Sequence, residues 1–235
     1  MVAFFRLSGD AALAPSLADK AALAEMAAAE FGHFRRLRER IAELSGTVEQ
    51  AMLPFVAPID AFHARTAPTD WLESLVKAYV GDGIAADFYR AVAELLDPRS
   101  RDLVLEVLAD TGHADFAVAR VRAAIAADPA VAGRLALWAR RLVGEALAQA
   151  HWVAAHRAPL AALLMSDPAT AAAAPPDAQT QLSRAPAAAP RETVPLAAGT
   201  QGSIGRMFAR LTDEHDKRMA ALGLTGWERP GEEGS

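Results

Sequence analysis

"AEFGHFRRL", Ala29 to Leu37, is the stretch on which the fold turns. It lies in a run from about Leu17 to Leu44. Leu23, Met26, Phe34, Leu37, Ile41 and Leu44 recur there at steps of three and four, the period of an amphipathic helix. Glu30 and His33 stand in the middle of that stripe, on the side that should face a core. An ionised carboxylate moved off water without compensation costs roughly 3–5 kcal/mol. The i, i+3 spacing sets both side chains on one side of the helix, where they can share a partner. A metal ion is one partner that accepts both.

The arrangement recurs further along the chain. In "LADTGHADF", Leu108 to Phe116, Asp110 and His113 again stand three apart, on a stripe with Leu103, Val107, Ala117 and Val121. In "YVGDGIAADF", Tyr79 to Phe88, Asp82 continues the stripe of Leu72, Leu75 and Tyr79. If these two helices form an antiparallel hairpin about Pro98, Asp82 lies sixteen residues before the turn and His113 fifteen after it. The two then meet at one level. Asp87 is the second choice, ~7.5 Å nearer the turn at ~1.5 Å rise per residue. Glu106, one turn before Asp110, lies beside the site or at the wet end of the bundle.

Two acid-x-x-His pairs on inward helix faces, with single carboxylates on the other two helices, form the di-iron carboxylate arrangement. The residue types fit that chemistry. Carboxylates are hard anionic ligands that bridge two iron ions, and imidazoles complete each sphere while leaving positions open for dioxygen.

Composition agrees with a helical protein. The chain has 235 residues, 52% hydrophobic and 23% charged, with aromatics at 6% and abundant alanine. Alanine favours helices, whereas strands want aromatic and β-branched residues. A net charge of -5 offers no bulk attraction for nucleic acid or an anionic membrane. There is no cysteine, which excludes disulfides, thiolate metal sites and cysteine nucleophiles. No stretch is apolar for long enough to span a bilayer, and no leader stands out at the start. The expectation is a soluble, cytoplasmic protein that makes no membrane contact.

The expected layout is all-α: an antiparallel helix bundle over 1–166, a flexible Ala/Pro-rich linker over 167–200, an amphipathic helix over 201–224 and a disordered tail over 225–235. The first helix runs to about Leu13. A shorter piece follows Gly46, bent or broken by Pro54 and Pro58. Asp70 caps a third long helix running to about Leu96, and Ser100 is the expected N-cap of a fourth. The fifth runs from about Val131 to Met165, with a break at Pro159. The linker, as in "ATAAAAPPDAQTQLSRAPAAAP", has no apolar period with which to order itself. In the last helix Ile204, Met207, Phe208, Leu211, Met219 and Leu222 recur at helical spacing, and Gly223 suits its stop. It is expected to dock on the bundle or on a sister subunit; partner recruitment is the sharper alternative.

"AAEFGHFRRL", "LVKAYVGDGIAADFYR" and "VLADTGHADFAVARV" resemble the ferritin-like proteins grouped with the tRNA 2-methylthio-isopentenyladenosine hydroxylase (MiaE), over about residues 1–165. The resemblance implies a ferritin-like bundle and a non-haem di-iron site that activates dioxygen. Carried over by position, it assigns Glu30 with His33, Asp82, and Asp110 with His113 as iron ligands. Aspartate replaces glutamate at Asp82 and Asp110, one methylene shorter. The first-helix ligand, as far before Pro15 as Glu30 lies after it, would fall ahead of Met1. The reading is a truncated first helix, or else a site short of one bridging carboxylate.

Two functions follow. One is an oxygen-dependent hydroxylase supplied by an external electron donor. Its substrate is a tRNA, met by the basic patches Arg35, Arg36, Arg38, Arg40 and Arg140, Arg141, or a small molecule. An acidic chain with few aromatics argues against RNA. The other is a non-catalytic ferritin-like interaction protein that has lost a complete site. A homodimer is compatible with both.

Overall fold

In the computed structural model, which describes residues 1–109, 112–156 and 198–225, all regular structure among the described residues is helical. Helix α1 (Val2–Leu13) and helix α2 (Leu17–Ser45) pack along each other through the turn at Pro15. Ser16 caps α2. Its Oγ accepts from the Asp19 amide at 3.1 Å and donates to the Asp19 carboxylate at 2.7 Å, satisfying a donor that a helix start leaves open. Gly46 closes α2 in the left-handed region, φ 74°, where a side chain would be strained.

Helix α3 (Val48–Arg65) runs unbroken through Pro54 and Pro58. Of the expected bend or break, the break does not occur. None of its residues is buried, so carbonyls that lose an amide partner to proline are free to take water instead.

The third long helix differs from the expected single run to Leu96. It is helix α4 (Trp71–Val76), a π-helical turn Lys77–Gly81, and helix α5 (Asp82–Ala93). Asp70 caps it as expected, accepting from the Glu73 amide at 2.9 Å. The extra residue in the π turn rotates everything after Gly81 relative to α4, so the stripe of Leu72 and Leu75 does not continue straight to Asp82. Helix α6 (Pro98–Val107) packs against α5, giving the hairpin about Pro98. Its N-cap is Asp97, not Ser100. Asp97 accepts from the Ser100 amide at 3.1 Å, with Pro98 in the first turn where its missing N–H costs nothing. The fourth helix also divides: α6 ends at Val107 and helix α7 (Gly112–Ala127) begins anew.

Helix α8 is described over Val131–His156. Its expected continuation to Met165, with Pro159, lies outside the described residues. So do the expected linker, apart from 198–200, and the tail after Thr225. Helix α9 (Ala198–Leu222) starts three residues earlier than expected and docks on α5, α7 and α8. The main core joins Val76, Val80, Val121, Leu135, Leu142, Leu222 and Leu224, each at most 1% exposed. A smaller cluster of Leu7, Ala14, Leu23 and Ala27 holds α1 on α2. No helix is long and apolar enough to cross a membrane among the described residues.

Candidate metal centre

The α1/α2 hairpin sets the first acid–histidine pair. Phe4 meets Phe31 at 5.4 Å between ring centroids, and Phe31 meets Phe34 at 5.9 Å. Those rings fix the register of the helices beside Glu30 and His33. His33 Nδ1 lies 3.4 Å from Glu30 Oε1, with the side chains 16% and 25% exposed. Nδ1 is buried and makes no hydrogen bond. The stripe that predicted an inward face is less covered further on. No residue of α2 after Ala27 is buried among those described, and Leu44 is 38% exposed. The Met1 amine, at the start of α1, is pushed below the ordinary amine range by burial and held up in part by the Glu30 carboxylate.

The second pair is half visible. His113 sits in the first turn of α7, partly buried, and its Nε2 is buried without a hydrogen-bond partner. Asp110 lies outside the described residues. Glu106 is exposed and paired with Arg36, which agrees with the wet end of the bundle.

On the third helix, Asp82 is the first residue after the π turn. Its side chain is 50% exposed and its Oδ1 accepts from Arg6 Nη1 at 3.3 Å. Asp87 is committed elsewhere. It accepts from Arg90 at 2.9 Å and pairs with Arg218 of α9. Arg218 also donates to the Gly83 carbonyl at 3.1 Å, over a glycine whose Cβ would collide with the guanidinium. A larger residue there would make the arginine move.

Four residues that the sequence reading passed over, Arg6, Lys77, Asp10 and His63, lie near Asp82 or near the cations beside it. Lys77 in the π turn is 2% exposed and donates to the Thr66 carbonyl at 2.6 Å. Burial and the Arg6 charge lower its pKa to about 8, against the pull of Asp82 and Asp10. His63 of α3 is lowered to about 4, by burial first and then by Arg6 and Lys77, and its Nδ1 has no hydrogen-bond partner. Burial raises the Asp10 carboxyl, with Arg6 and Lys77 opposing. The signal for Lys77 was in the sequence, a lone charge inside "SLVKAYV". Arg6, in "FFRLSGD", carried none.

Among the described residues, no three histidine, aspartate or glutamate side chains are gathered closely enough to hold a metal ion. Glu30 and His33 are brought together; Asp82 and His113 do not join them in one sphere. The donor set still fits a metal in kind. A carboxylate touches one imidazole, and buried ring nitrogens of His33 and His113 lack hydrogen-bond partners, as do those of His63 and His215.

The arginines of α2 are largely engaged. Arg40 donates to Asp97 at 3.1 Å, Ser100 at 3.0 Å and Glu43 at 2.9 Å, and Arg36 pairs with Glu106. Arg38 stacks over Phe34 at 6.0 Å.

Among curated proteins none matches the chain. A family described as "Ferritin-like domain, actinomycetes" matches residues 1–167, which takes in α1 to α8 and leaves α9 outside. With that match spanning most of the sequence, the chain belongs to this ferritin-like family.

Proposed function

We propose that this protein is a non-haem iron protein of the hydroxylase kind. Glu30, His33, Asp110 and His113 are its ligands, with Asp82 as the third-helix carboxylate. The observation that carries the reading is the Glu30–His33 contact at 3.4 Å beside buried, unpartnered nitrogens on both His33 and His113. A neutral imidazole keeps one unprotonated ring nitrogen that can ligate a metal, and imidazole with carboxylate is an iron-type donor set. Iron, when bound, supplies the one-electron and dioxygen chemistry that no side chain here has. The chain's own residues supply the ligands and their orientation.

Nothing in the sequence resembles a flavin or iron–sulfur site, so the reaction needs an external electron donor. A small molecule is favoured over RNA as substrate. Of the four arginines on α2, Arg36 and Arg40 are held by carboxylates and Arg38 lies against Phe34, which leaves little charge free for phosphates.

The test is anaerobic loading of the full chain with ferrous ions, followed by oxygen uptake with a reductant present. Bound iron that His33→Ala removes, together with oxygen consumption, is the expected result. Absence of bound iron would sink the reading.

One observation favours a second reading. Arg6 holds Asp82 in an ion pair, as in a bundle that keeps the fold for binding and has given up oxygen chemistry. Iron that binds but consumes no oxygen would select it.

A further inference from the structure

Helix α9 lies beyond the family match, and against α8 it walls a cleft of about 350 Å³ that is open to solvent on one side. Arg140 and Val143 come from α8, and His215, Asp216 and Met219 from α9. Leu224 and Thr225 come from the turn that follows. The volume is at the small end of ligand sites, which suits one small molecule.

The cleft is graded from floor to rim. His215, Met219 and Leu224 are buried and form the floor. Arg140, Asp216 and Thr225 are exposed and form the rim. His215 stands four residues after Leu211 and four before Met219, on the inward stripe of α9, and its Nδ1 is buried without a hydrogen bond. Burial pushes its pKa down, with Asp216 opposing and Arg218 adding to the effect, so the ring is neutral at pH 7 and the floor carries no charge. At the rim, a cation on α8 and an anion on α9 border the same opening. Among the described residues they pair neither with each other nor with a third group.

An uncharged floor takes an apolar group, because burying apolar surface there is favourable and strips no charge of water. The rim keeps its charges wet, so a ligand's own charges stay partly solvated when they meet them. A guanidinium takes a carboxylate through paired N–H donors, and a carboxylate accepts from an ammonium. An α-amino acid carries both charged groups and its side chain on one carbon. We propose that this cleft binds a free α-amino acid with an apolar side chain, of the size of leucine or methionine. Its carboxylate lies on Arg140, its ammonium on Asp216 and its side chain against Val143, Met219 and Leu224. The site stands apart from the candidate metal centre and does not rest on the iron reading.

The experiment is calorimetric titration of the full chain with leucine and methionine, beside three truncated probes. 4-Methylpentanoate lacks the ammonium, 3-methylbutylamine lacks the carboxylate, and glycine lacks the side chain. Leucine or methionine is expected to bind and to raise the melting temperature, since a ligand of the folded chain stabilises it. Each truncated probe is expected to bind about tenfold or more weakly than leucine, the scale of one lost charged hydrogen bond. Arg140→Gln and Asp216→Asn change exposed residues, so both should fold, which helicity checks. Each is expected to weaken leucine binding by about the same factor. No binding of leucine or methionine at millimolar concentration overturns the proposal. Equal binding of 4-methylpentanoate and leucine overturns the amino-acid assignment and makes the site one for organic acids. Leucine binding that neither substitution weakens overturns the location.

Discussion

The two sides of this bundle are built on opposite terms. On one side α4, the π turn, α7, α8 and α9 close a dry core in which Val76, Val80, Val121, Leu135, Leu142 and Leu222 show no exposed surface. Its buried carboxylate among the described residues, Glu73, is fully engaged. It accepts from Arg134 at 2.6 Å and from the Thr69 amide and hydroxyl at 2.8 and 2.7 Å. On the other side α1, the later part of α2 and α3 bury little. Helix α3 contributes no buried residue, and Leu53, Phe55 and Val56 are each more than 40% exposed. This side carries Glu30, His33, Arg6, Asp10 and His63, with unpartnered nitrogens on both histidines. Buried apolar packing is concentrated on the first side, while the Glu30–His33 pair lies on the second and His113 stands at the start of α7.

The largest effect that tests this contrast is in α9, which lies beyond the family match yet closes the dry core. Leu222→Ala deletes a side chain with no exposed surface and is expected to cost ~2–5 kcal/mol by cavity formation. The matching change on the other side, Leu53→Ala, removes a side chain 69% exposed and should stay within ~0.5 kcal/mol. Urea unfolding measures both. Equal losses would end the contrast, and no loss at Leu222 would mean that α9 is only lightly held.

A middle-sized effect is expected at Gly83. A methyl group there would lie 2.9 Å from both Cδ and Cζ of Arg218. The arginine would then have to leave the Gly83 carbonyl and Asp87. Gly83→Ala should cost ~1–2 kcal/mol, the scale of one strained contact and a lost charged hydrogen bond. In an Arg218→Ala background the same substitution should cost almost nothing. A cost that persists there would show that the glycine serves some other contact, and the clamp on α9 would then rest on apolar packing alone.

Much of the dry side was legible in the sequence. Helical spacing of apolar residues places Met219 and Leu222 inward, and the punctuation at Asp97-Pro98 places the hairpin. Caps were harder. Asp97 and Ser100 are both good N-cap residues, and Pro98, which prefers the first helical position, decides between them. The π turn carries no signal that a spacing rule reads, whereas Thr111-Gly112 stands in the sequence just after α6 ends at Val107. On the other side, the Glu30–His33 pairing was legible because it is local to one helix. The Arg6–Asp82 pair joins residues 76 apart in sequence. It depends on the length of an arginine side chain and on the rotation that the π turn gives α5, neither of which a spacing rule contains.

The smallest effect tests the charged side through pH. The His63 pKa lies near 4 in the folded chain, held down by burial, Arg6 and Lys77, against an ordinary ~6.5. Between those values the unfolded chain binds a proton that the folded chain refuses, so stability falls as pH falls through that window. The ring is only partly buried, so solvent screening reduces the full linkage to about 1 kcal/mol between pH 7 and pH 4.5. Asp10 works in the opposite sense. Its carboxyl is raised by burial, so the folded chain takes up that proton first and gains stability as the pH drops. A single acid titration would mix the two. The difference between the natural chain and His63→Gln isolates the histidine, because Asp10 is present in both. The stability of the natural chain relative to the variant, from urea unfolding, should be about 1 kcal/mol lower at pH 4.5 than at pH 7. Parallel curves would mean that His63 reaches water freely and that the two cations beside Asp82 do not form a closed group.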